Sequence, residues 1–523
     1  MKRLAVGAVI AVICLSGRPA HAASCEDLAK LAVPHASIDS AEVVAAGAFV
    51  PPPSPRRAPV DPNAEPTTPV NYKALPAFCR VKATLAPSSD SDIKVEVWLP
   101  VDGWNGKFQG VGNGGWAGTI GYAALGNAVK AGYAGASTDT GHVGGTAAFA
   151  VGHPEKLIDM GYRAVHEMTV QGKTIVNAFY GSAPTTAIFS GCSLGGRQAV
   201  TEANRYPEDY DGIIAGAPAI YNMTIHTARI AINAVAQRAA DSRIPREKYA
   251  MVHEAVLQAC DAHDGVKDGV IDEPLRCTFD PIVLQCRGDD GPTCLTATQV
   301  ETMRMLYAPV KRPNGEVLSP PLLQPGTELG WNTLAGVQPV STALEAFKYI
   351  VFKDPAWSIT QFNPATDIAK GLAADPDQIL SRTDSNLKPF FSRGGKLLVY
   401  HGWQDPQVPA QTTVKFYNDV VKTMGAGVVG SSLQLYMVPG MNHCSGGPGP
   451  NVFDKVGALE QWMKNGSAPK QIVASHATGG VVDRTRPLCP FGQVARWKGT
   501  GSTDEAANFA CVAAAPPASS AGR

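Results

Sequence analysis

The chain has 523 residues, with 45 Lys or Arg and 45 Asp or Glu. This length supports a large hydrophobic core, as several domains or as one domain with an insertion, and excludes a single small module. Because the formal charge balances to zero, no overall field draws the chain to nucleic acid or to an anionic membrane. We therefore expect neither of those partners and look for a small-molecule ligand.

The amino terminus has the pattern of an export signal. Residues 1–22 combine a basic start, an apolar run too short to span a bilayer, and a small-residue cleavage site at Ala20-His21-Ala22. Of the 11 cysteines, Cys14 lies in this segment, and the even remainder suits disulfides in an oxidising compartment. We expect an exported protein, periplasmic or secreted, without a transmembrane helix.

The middle of the chain alternates strand and helix patterns. Proline-rich residues 50–69 predict an exposed loop, and we expect order to begin after it. Strands are predicted at 93–100 (half-buried), 107–118 (running into a glycine-rich loop), 132–139, 185–191, 396–405 and 433–444, with helices at 157–180 and 194–206. This alternation predicts an α/β fold with a largely parallel sheet and helices on both faces.

The region from about 221 to 387 differs in texture. It has helical stretches, prolines, four cysteines and an acidic loop, without clear sheet strands. We interpret it as an inserted subdomain, the lid. The predicted organisation is a signal peptide (1–22), the first part of the core (23–220), the lid (221–387) and the second part of the core (388–523).

A Gly-x-Ser-x-Gly pattern centred on Ser193 lies between a predicted strand and a predicted helix. Its glycines permit the sharp turn that displays a nucleophilic serine. Asp405 and His443 follow the two later strands and complete the order Ser, Asp, His, in which the histidine takes the serine proton and the carboxylate orients the histidine. Taken singly, a turn-forming aspartate and a surface histidine are the alternatives.

Cysteines adjoin two of these residues. If His443 hydrogen-bonds Ser193, the backbones of Cys192 and Cys444 approach the Cα separation that a disulfide requires, ~5.5 to 6 Å. Such a bridge would hold the base in register with the nucleophile.

Catalysis at a carbonyl also needs N–H donors aimed at the oxyanion that develops. Leu194, directly after the serine, supplies one, and the loop at 112–115 is placed to supply another. A glycine-rich turn without a catalytic role is the alternative for that loop.

The segment CDAHDGVKDGVIDEPLRC, residues 260–277, is rich in carboxylates. The acidic positions are Asp261, Asp264, Asp268 and Asp272. Hard oxygen ligands in one compact loop suit a structural calcium ion, although the spacing is not that of an EF-hand. Cys260 and Cys277 could close the loop as a disulfide, and a solvated acidic turn is the alternative.

Together these motifs resemble the tannase and feruloyl esterase family, which also contains the bacterial mono(2-hydroxyethyl) terephthalate hydrolase. The resemblance covers nearly the whole mature chain and is carried by the stretches WNGKFQGVGNGGWAG, STDTGH, GCSLGGRQ, YDGIIAGAPA, YHGWQD, VPGMNHCSGGPG, RTRPLCP and ANFAC. It implies an α/β-hydrolase core with an inserted calcium-binding lid. Its Cys-Ser and His-Cys signature stands here at Cys192-Ser193 and His443-Cys444.

The resemblance implies further assignments. Gly115 and Leu194 would form the oxyanion hole, and His401 would help to line the substrate pocket. The ligands of the lid calcium would be the side chains of Asp261, Asp264 and Asp268 and the carbonyls of Val266 and Val270, so that the role of Asp272 is in doubt. The remaining disulfides would join Cys25 to Cys79, Cys260 to Cys277, Cys286 to Cys294 and Cys489 to Cys511.

The function implied is a serine carboxylic-ester hydrolase that cleaves esters of hydroxylated aromatic acids, feruloyl or galloyl, through an acyl-enzyme. Between about 313 and 387 the chain is shorter than the terephthalate hydrolase, and the residues that grip terephthalate there cannot be aligned. Terephthalate monoester hydrolysis remains an alternative, as do a serine peptidase and a non-catalytic protein that binds aromatic ligands. The lid aromatics Trp331, Phe347, Trp357 and Phe362 are pocket candidates but are more simply lid core.

Overall fold

The structure, a computed structural model, describes residues 23–53, 70–116 and 118–515. The predicted signal at 1–22 and most of the predicted loop at 50–69 lie outside the described residues. The strands are β1 (Ala36–Val44), β2 (Phe78–Leu85), β3 (Ile93–Pro100), β4 (Lys107–Val111), β5 (Ala134–Thr138), β6 (Thr186–Cys192), β7 (Gly212–Gly216), β8 (Val310–Lys311), β9 (Val317–Ser319), β10 (Lys396–Gly402), β11 (Leu433–Val438), β12 (Ile472–Thr478), β13 (Val481–Leu488), β14 (Gln493–Trp497) and β15 (Phe509–Ala513).

The α-helices are α1 (Tyr122–Lys130), α2 (Pro154–Ile158), α3 (Ala164–Tyr180), α4 (Leu194–Arg205), α5 (Asn222–Ala236), α6 (Tyr249–Cys260), α7 (Ala297–Leu306), α8 (Asn332–Ala335), α9 (Ser341–Glu345), α10 (Pro364–Ala373), α11 (Lys388–Ser392), α12 (Ala410–Met424), α13 (Ala426–Ser432) and α14 (Lys455–Asn465). A π-helical turn at Asp159–Arg163 joins α2 to α3, so the helix predicted at 157–180 is present with a wider turn near its start. Among the described helices, none combines the length and apolarity needed to cross a membrane.

The centre of the fold is a nine-stranded sheet in the order β1-β2-β3-β5-β4-β6-β7-β10-β11. From β5 to β11 in that order the strands pair in parallel, and β1, β2 and β3 extend one edge antiparallel. β5 and β7 are buried along their whole length, as their nearly charge-free sequences predict for strands covered on both faces. The predicted largely parallel α/β sheet is confirmed.

Two predictions about the amino-terminal edge are wrong. Order does not begin after the proline-rich segment, because β1 precedes it and pairs with β2. β3 is not half-buried, since seven of its eight residues are buried. The cause is an aromatic cluster on its outer face, where Phe49 lies 4.5 Å from Trp98 and Phe78 stacks on Trp98 at 4.3 Å between ring centroids.

β7 and β10 are neighbours in the sheet and pair from Lys396 with Gly212 to Tyr400 with Gly216, although a long insertion separates them in the chain. The intervening chain has apolar clusters of its own, with Trp331 and Phe347 fully buried in two of them. The lid also contains the short ribbon of β8 and β9, which the prediction of a lid without strands missed. The inserted region leaves β7 at its carboxyl end, and its residues Arg229 and Thr342 line the same cavity as Ser193, so it covers the edge where the functional loops lie.

Helix α4, which begins directly after Ser193, contains a buried acid. Neither carboxylate oxygen of Glu202 has a hydrogen-bond partner among the described residues. Burial and the charge of nearby Asp209 raise the pKa of Glu202 well above its usual range. The folded state therefore binds this proton more tightly than the unfolded state, and the free energy of unfolding falls as pH rises above about 4.3.

Replacing Glu202 by glutamine should remove the fall in the free energy of unfolding that this acid causes at higher pH. We expect the melting temperature of Glu202→Gln minus that of wild type to be higher at about pH 8 than at about pH 5, because glutamine has no proton to lose. Thermal unfolding at both pH values, with exposed Glu208→Gln as the matched control, measures the effect. A difference from wild type that is the same at both pH values would contradict the assignment.

Candidate active site

Ser193 stands at the turn between β6 and α4 in a left-handed backbone conformation, with φ 63° and ψ −117°. A Cβ atom on Gly191 would lie 2.5 Å from the backbone carbon of Gly195, and one on Gly195 would lie 3.0 Å from the carbonyl oxygen of Asn113. Gly191 is therefore required sterically, and a side chain at Gly195 would press on the backbone of Asn113. The strand, turn and helix predicted around this serine are present, and the turn displays it at the end of β6.

Asp405 and His443 are brought together from the loops after β10 and β11. His443 Nδ1 donates to Asp405 Oδ2 at 2.7 Å, and the backbone N–H groups of Gln407 and Val408 donate to Asp405 Oδ1 at 2.7 and 2.9 Å. Burial alone would raise the pKa of Asp405, but the charge of His443 and hydrogen bonds from His401 and His443 outweigh it and lower that pKa. The ionised carboxylate fixes the proton on Nδ1, which leaves Nε2 of His443 as a base.

His401 differs in position from the expectation. It is fully buried behind Asp405 and is absent from the wall of the cavity that contains Ser193. Its Nε2 donates to Asp405 Oδ2 at 3.0 Å, and its Nδ1 bonds the Thr413 hydroxyl at 2.7 Å. As the sixth residue of β10, it lies inside the sheet edge, where it supports the carboxylate instead of lining the pocket.

The predicted disulfide between Cys192 and Cys444 is present, with a Cα separation of 6.0 Å. Its two neighbours Ser193 and His443 line one cavity of about 540 Å³. The structure also confirms the other four predicted pairs, which are Cys25–Cys79, Cys260–Cys277, Cys286–Cys294 and Cys489–Cys511.

Gly115 and Leu194 line the same cavity. The N–H of Leu194 is at the first position of α4, where a helix offers no internal acceptor. The loop with Gly115 is held against α4 by Gln198, whose side chain accepts from Asn113 N at 2.9 Å and donates to Asn113 Oδ1 at 3.1 Å. Sequence reasoning missed Gln198, although it stands inside the GCSLGGRQ stretch.

Much of the cavity wall comes from residues that the sequence did not single out. These further lining residues are Gly114, Trp116, Met160, Ala219, Asn222, Ile225, His226, Arg229, Thr342, Gln407 and Val408. Four of them lie on α5 at helical spacing, and no motif marks that helix. A second cavity of about 1020 Å³ meets the first at Gly114, Gly115, Trp116 and Thr342.

In the acidic loop, the carboxylate of Asp268 is paired with basic side chains. Asp268 forms an ion pair with Arg486 and lies 3.4 Å from Arg484. Within the described parts of the chain, no three His, Cys, Asp or Glu side chains form a group that could hold a metal ion. The predicted calcium ligands, Asp261, Asp264, Asp268 and the carbonyls of Val266 and Val270, therefore stay a prediction.

Comparison with known proteins shows which family this chain resembles. The family model for tannase and feruloyl esterase matches residues 79–512. An uncharacterised esterase of Xanthomonas campestris pv. campestris is 37% identical over 94% of this chain and 91% of its own, and a probable feruloyl esterase B-1 of Aspergillus oryzae is 32% identical over 83% and 84%. The solved structure of feruloyl esterase B from Aspergillus oryzae superposes with a TM-score of 0.83, at 29% identity over 93% of this chain and 99% of that chain.

The fold and these similarities define an ester hydrolase with an α/β-hydrolase-like core. The chain belongs to the tannase and feruloyl esterase family.

The disulfide beside the candidate triad should matter more for turnover than for substrate binding. We expect Cys192→Ser with Cys444→Ser to lower kcat about 10- to 100-fold with little change in KM, because the loop carrying His443 loses its tie to the nucleophile turn. Steady-state ester hydrolysis measures both constants. The matched control is Cys286→Ser with Cys294→Ser in the lid, which should keep the wild-type kcat. Equal losses of kcat in the two double variants would contradict a positioning role for the disulfide between Cys192 and Cys444.

Proposed function

We propose that this protein is an exported serine esterase that cleaves esters of hydroxylated aromatic acids, feruloyl or galloyl, through an acyl-enzyme. The observation that carries the proposal is the joint placement of Ser193 and His443 in one cavity, with His443 hydrogen-bonded to buried Asp405. Membership of the family supplies the acyl class.

The proposed reaction begins with Ser193. His443 Nε2 takes the hydroxyl proton as the serine oxygen attacks the ester carbonyl, and Asp405 stabilises the imidazolium that forms. The tetrahedral intermediate collapses to the acyl-enzyme, and His443 gives its proton to the departing alcohol. Water, deprotonated by the same histidine, then attacks the acyl-enzyme and releases the acid.

The oxyanion of both tetrahedral intermediates would be bound by the N–H groups of Gly115 and Leu194. The contacts of Gln198 to Asn113 support this role, because they hold the loop in place before substrate arrives. Donors fixed in advance pay no reorganisation cost when charge develops on the oxygen.

Export is part of the proposal. The five disulfides among the described residues fit an oxidising compartment, in agreement with the signal pattern at residues 1–22. The mature protein would begin at Ala23, which amino-terminal sequencing of the exported chain can check.

A calcium ion in the acidic loop is also proposed, as a structural group. Asp264 and Asp268 lie close enough to Asp272 for their charges to act on it, and a divalent cation bound among these carboxylates would relieve their mutual repulsion. Binding would require Asp268 to exchange Arg486 for the ion. The ion takes no part in ester chemistry, because the triad supplies both nucleophile and base.

Hydrolysis of a panel of esters tests the reaction. We expect acid release from methyl ferulate or methyl gallate, and a loss of at least about 10³-fold in kcat for Ser193→Ala, because the hydroxyl is the attacking group. Mono(2-hydroxyethyl) terephthalate and a matched amide complete the panel.

Each outcome of the panel has a reading. Preferred turnover of the terephthalate ester or of the amide would replace the proposed substrate class by one of those alternatives. No turnover and no labelling of Ser193 by an organophosphonate would favour a non-catalytic binding protein.

Removal of calcium should lower stability. We expect a chelator to lower the melting temperature by about 5 °C or more, with recovery on adding Ca²⁺, because an ion bound only by the folded state stabilises it. Asp264→Asn should weaken the response. A metal-free preparation, verified by elemental analysis, that melts at the same temperature with and without Ca²⁺ would contradict the assignment.

A further inference from the structure

Helix α5 presents a polar face to the catalytic cavity. Asn222, His226 and Arg229 follow one another at helical spacing, and all three line the cavity together with Ser193. Each is at least nine-tenths buried. Polar groups at this depth cost stability unless they are paired, so their hydrogen bonds can be followed one by one.

The first residue of this face lacks a partner. Oδ1 of Asn222 has no hydrogen bond among the described residues, and the residue is 8% exposed. The oxygen and nitrogen of a side-chain amide exchange places by a half-turn, so either atom can face the cavity. Asn222 Oδ1 is therefore an unused acceptor in a residue of the cavity wall.

Arg229 determines which ring nitrogen of His226 carries the proton. Arg229 Nη1 lies 3.4 Å from His226 Nδ1, and a guanidinium has donors alone, so Nδ1 accepts. Burial, and then the charge of Arg229, lower the pKa of His226 well below its usual range, so the ring is neutral. The one proton of a neutral ring is then on Nε2, which makes His226 a donor.

Arg229 is occupied elsewhere. Its Nε and Nη2 donate to the carbonyl oxygen of Gln407 at 3.0 and 2.7 Å, and Nη1 also donates to the Thr342 hydroxyl at 3.2 Å. The guanidinium thus fastens the turn that carries Asp405 to the lid. It is committed to protein acceptors, and the cavity face is left with one neutral amide and one neutral imidazole donor.

We propose that Asn222 and His226 form the recognition site for a phenolic hydroxyl of the acyl group, with Asn222 Oδ1 accepting its proton and His226 Nε2 donating to its oxygen. A hydroxyl both donates and accepts, which matches this pair, whereas a bare ring leaves both groups unpaired. The assignment rests on the proposed esterase function and adds the residues that select the substrate.

Two esters that differ by one hydroxyl test it. Methyl p-coumarate and methyl cinnamate share their alcohol and their acyl skeleton. We expect wild type to favour p-coumarate in kcat/KM by about tenfold or more, and Asn222→Leu, of similar shape, to bring the ratio close to one. His226→Phe, which keeps a ring beside Trp116, should also lower the ratio. Met160→Leu, an apolar change in the same wall, should keep it.

The outcomes separate the two proposals. Hydrolysis of both esters by wild type at equal rates, or an unchanged ratio in Asn222→Leu, overturns the recognition site and leaves the esterase function standing. Hydrolysis of neither ester and of no methyl gallate, with Ser193 still labelled by an organophosphonate, overturns the acyl class and the recognition site together. If Asn222→Leu fails to fold, Asn222→Ala gives the same reading.

Discussion

A covalent constraint organises the candidate active site. The disulfide between Cys192 and Cys444 joins the ends of two sheet segments that are 252 residues apart in sequence. Each cysteine is the direct neighbour of a residue of the proposed triad, Ser193 on one side and His443 on the other. The lid is inserted between these segments, so the bridge also keeps the site together across a long interruption of the core.

Charges and hydrogen bonds orient the residues that the disulfide brings together. Asp405 is buried, yet the charge of His443 and hydrogen bonds from His401 and His443 keep its pKa low, so it can hold the proton of His443 on Nδ1. Arg229 donates hydrogen bonds to the carbonyl oxygen of Gln407 in the same turn. It lies on α5 with Asn222 and His226, and all three line the cavity. Helix α5, which is proposed to recognise the acyl group, is therefore hydrogen-bonded to the turn that carries Asp405.

Local patterns predicted the nucleophile turn and its strand because apolar strands, fixed glycines and a following helix leave strong signals in sequence. β1 was missed because ASIDSAEVV is half polar and precedes a proline-rich segment. The position of His401 and the contacts of Gln198 depend on how loops meet across the sheet edge, which sequence spacing does not encode. Asn222, His226 and Arg229 likewise lie in a predicted helical stretch. Their spacing in the sequence does not reveal that they share the helix face that lines the cavity.

The central claim is that Ser193 carries the acyl group during turnover. Rapid acid quench of the enzyme with methyl ferulate, followed by peptide mass spectrometry, tests it most directly. The account predicts a feruloyl adduct on the peptide that contains Ser193, formed within one turnover and absent from Ser193→Ala. Steady hydrolysis of the ester with no adduct at any time, or with an adduct on another residue, would contradict it.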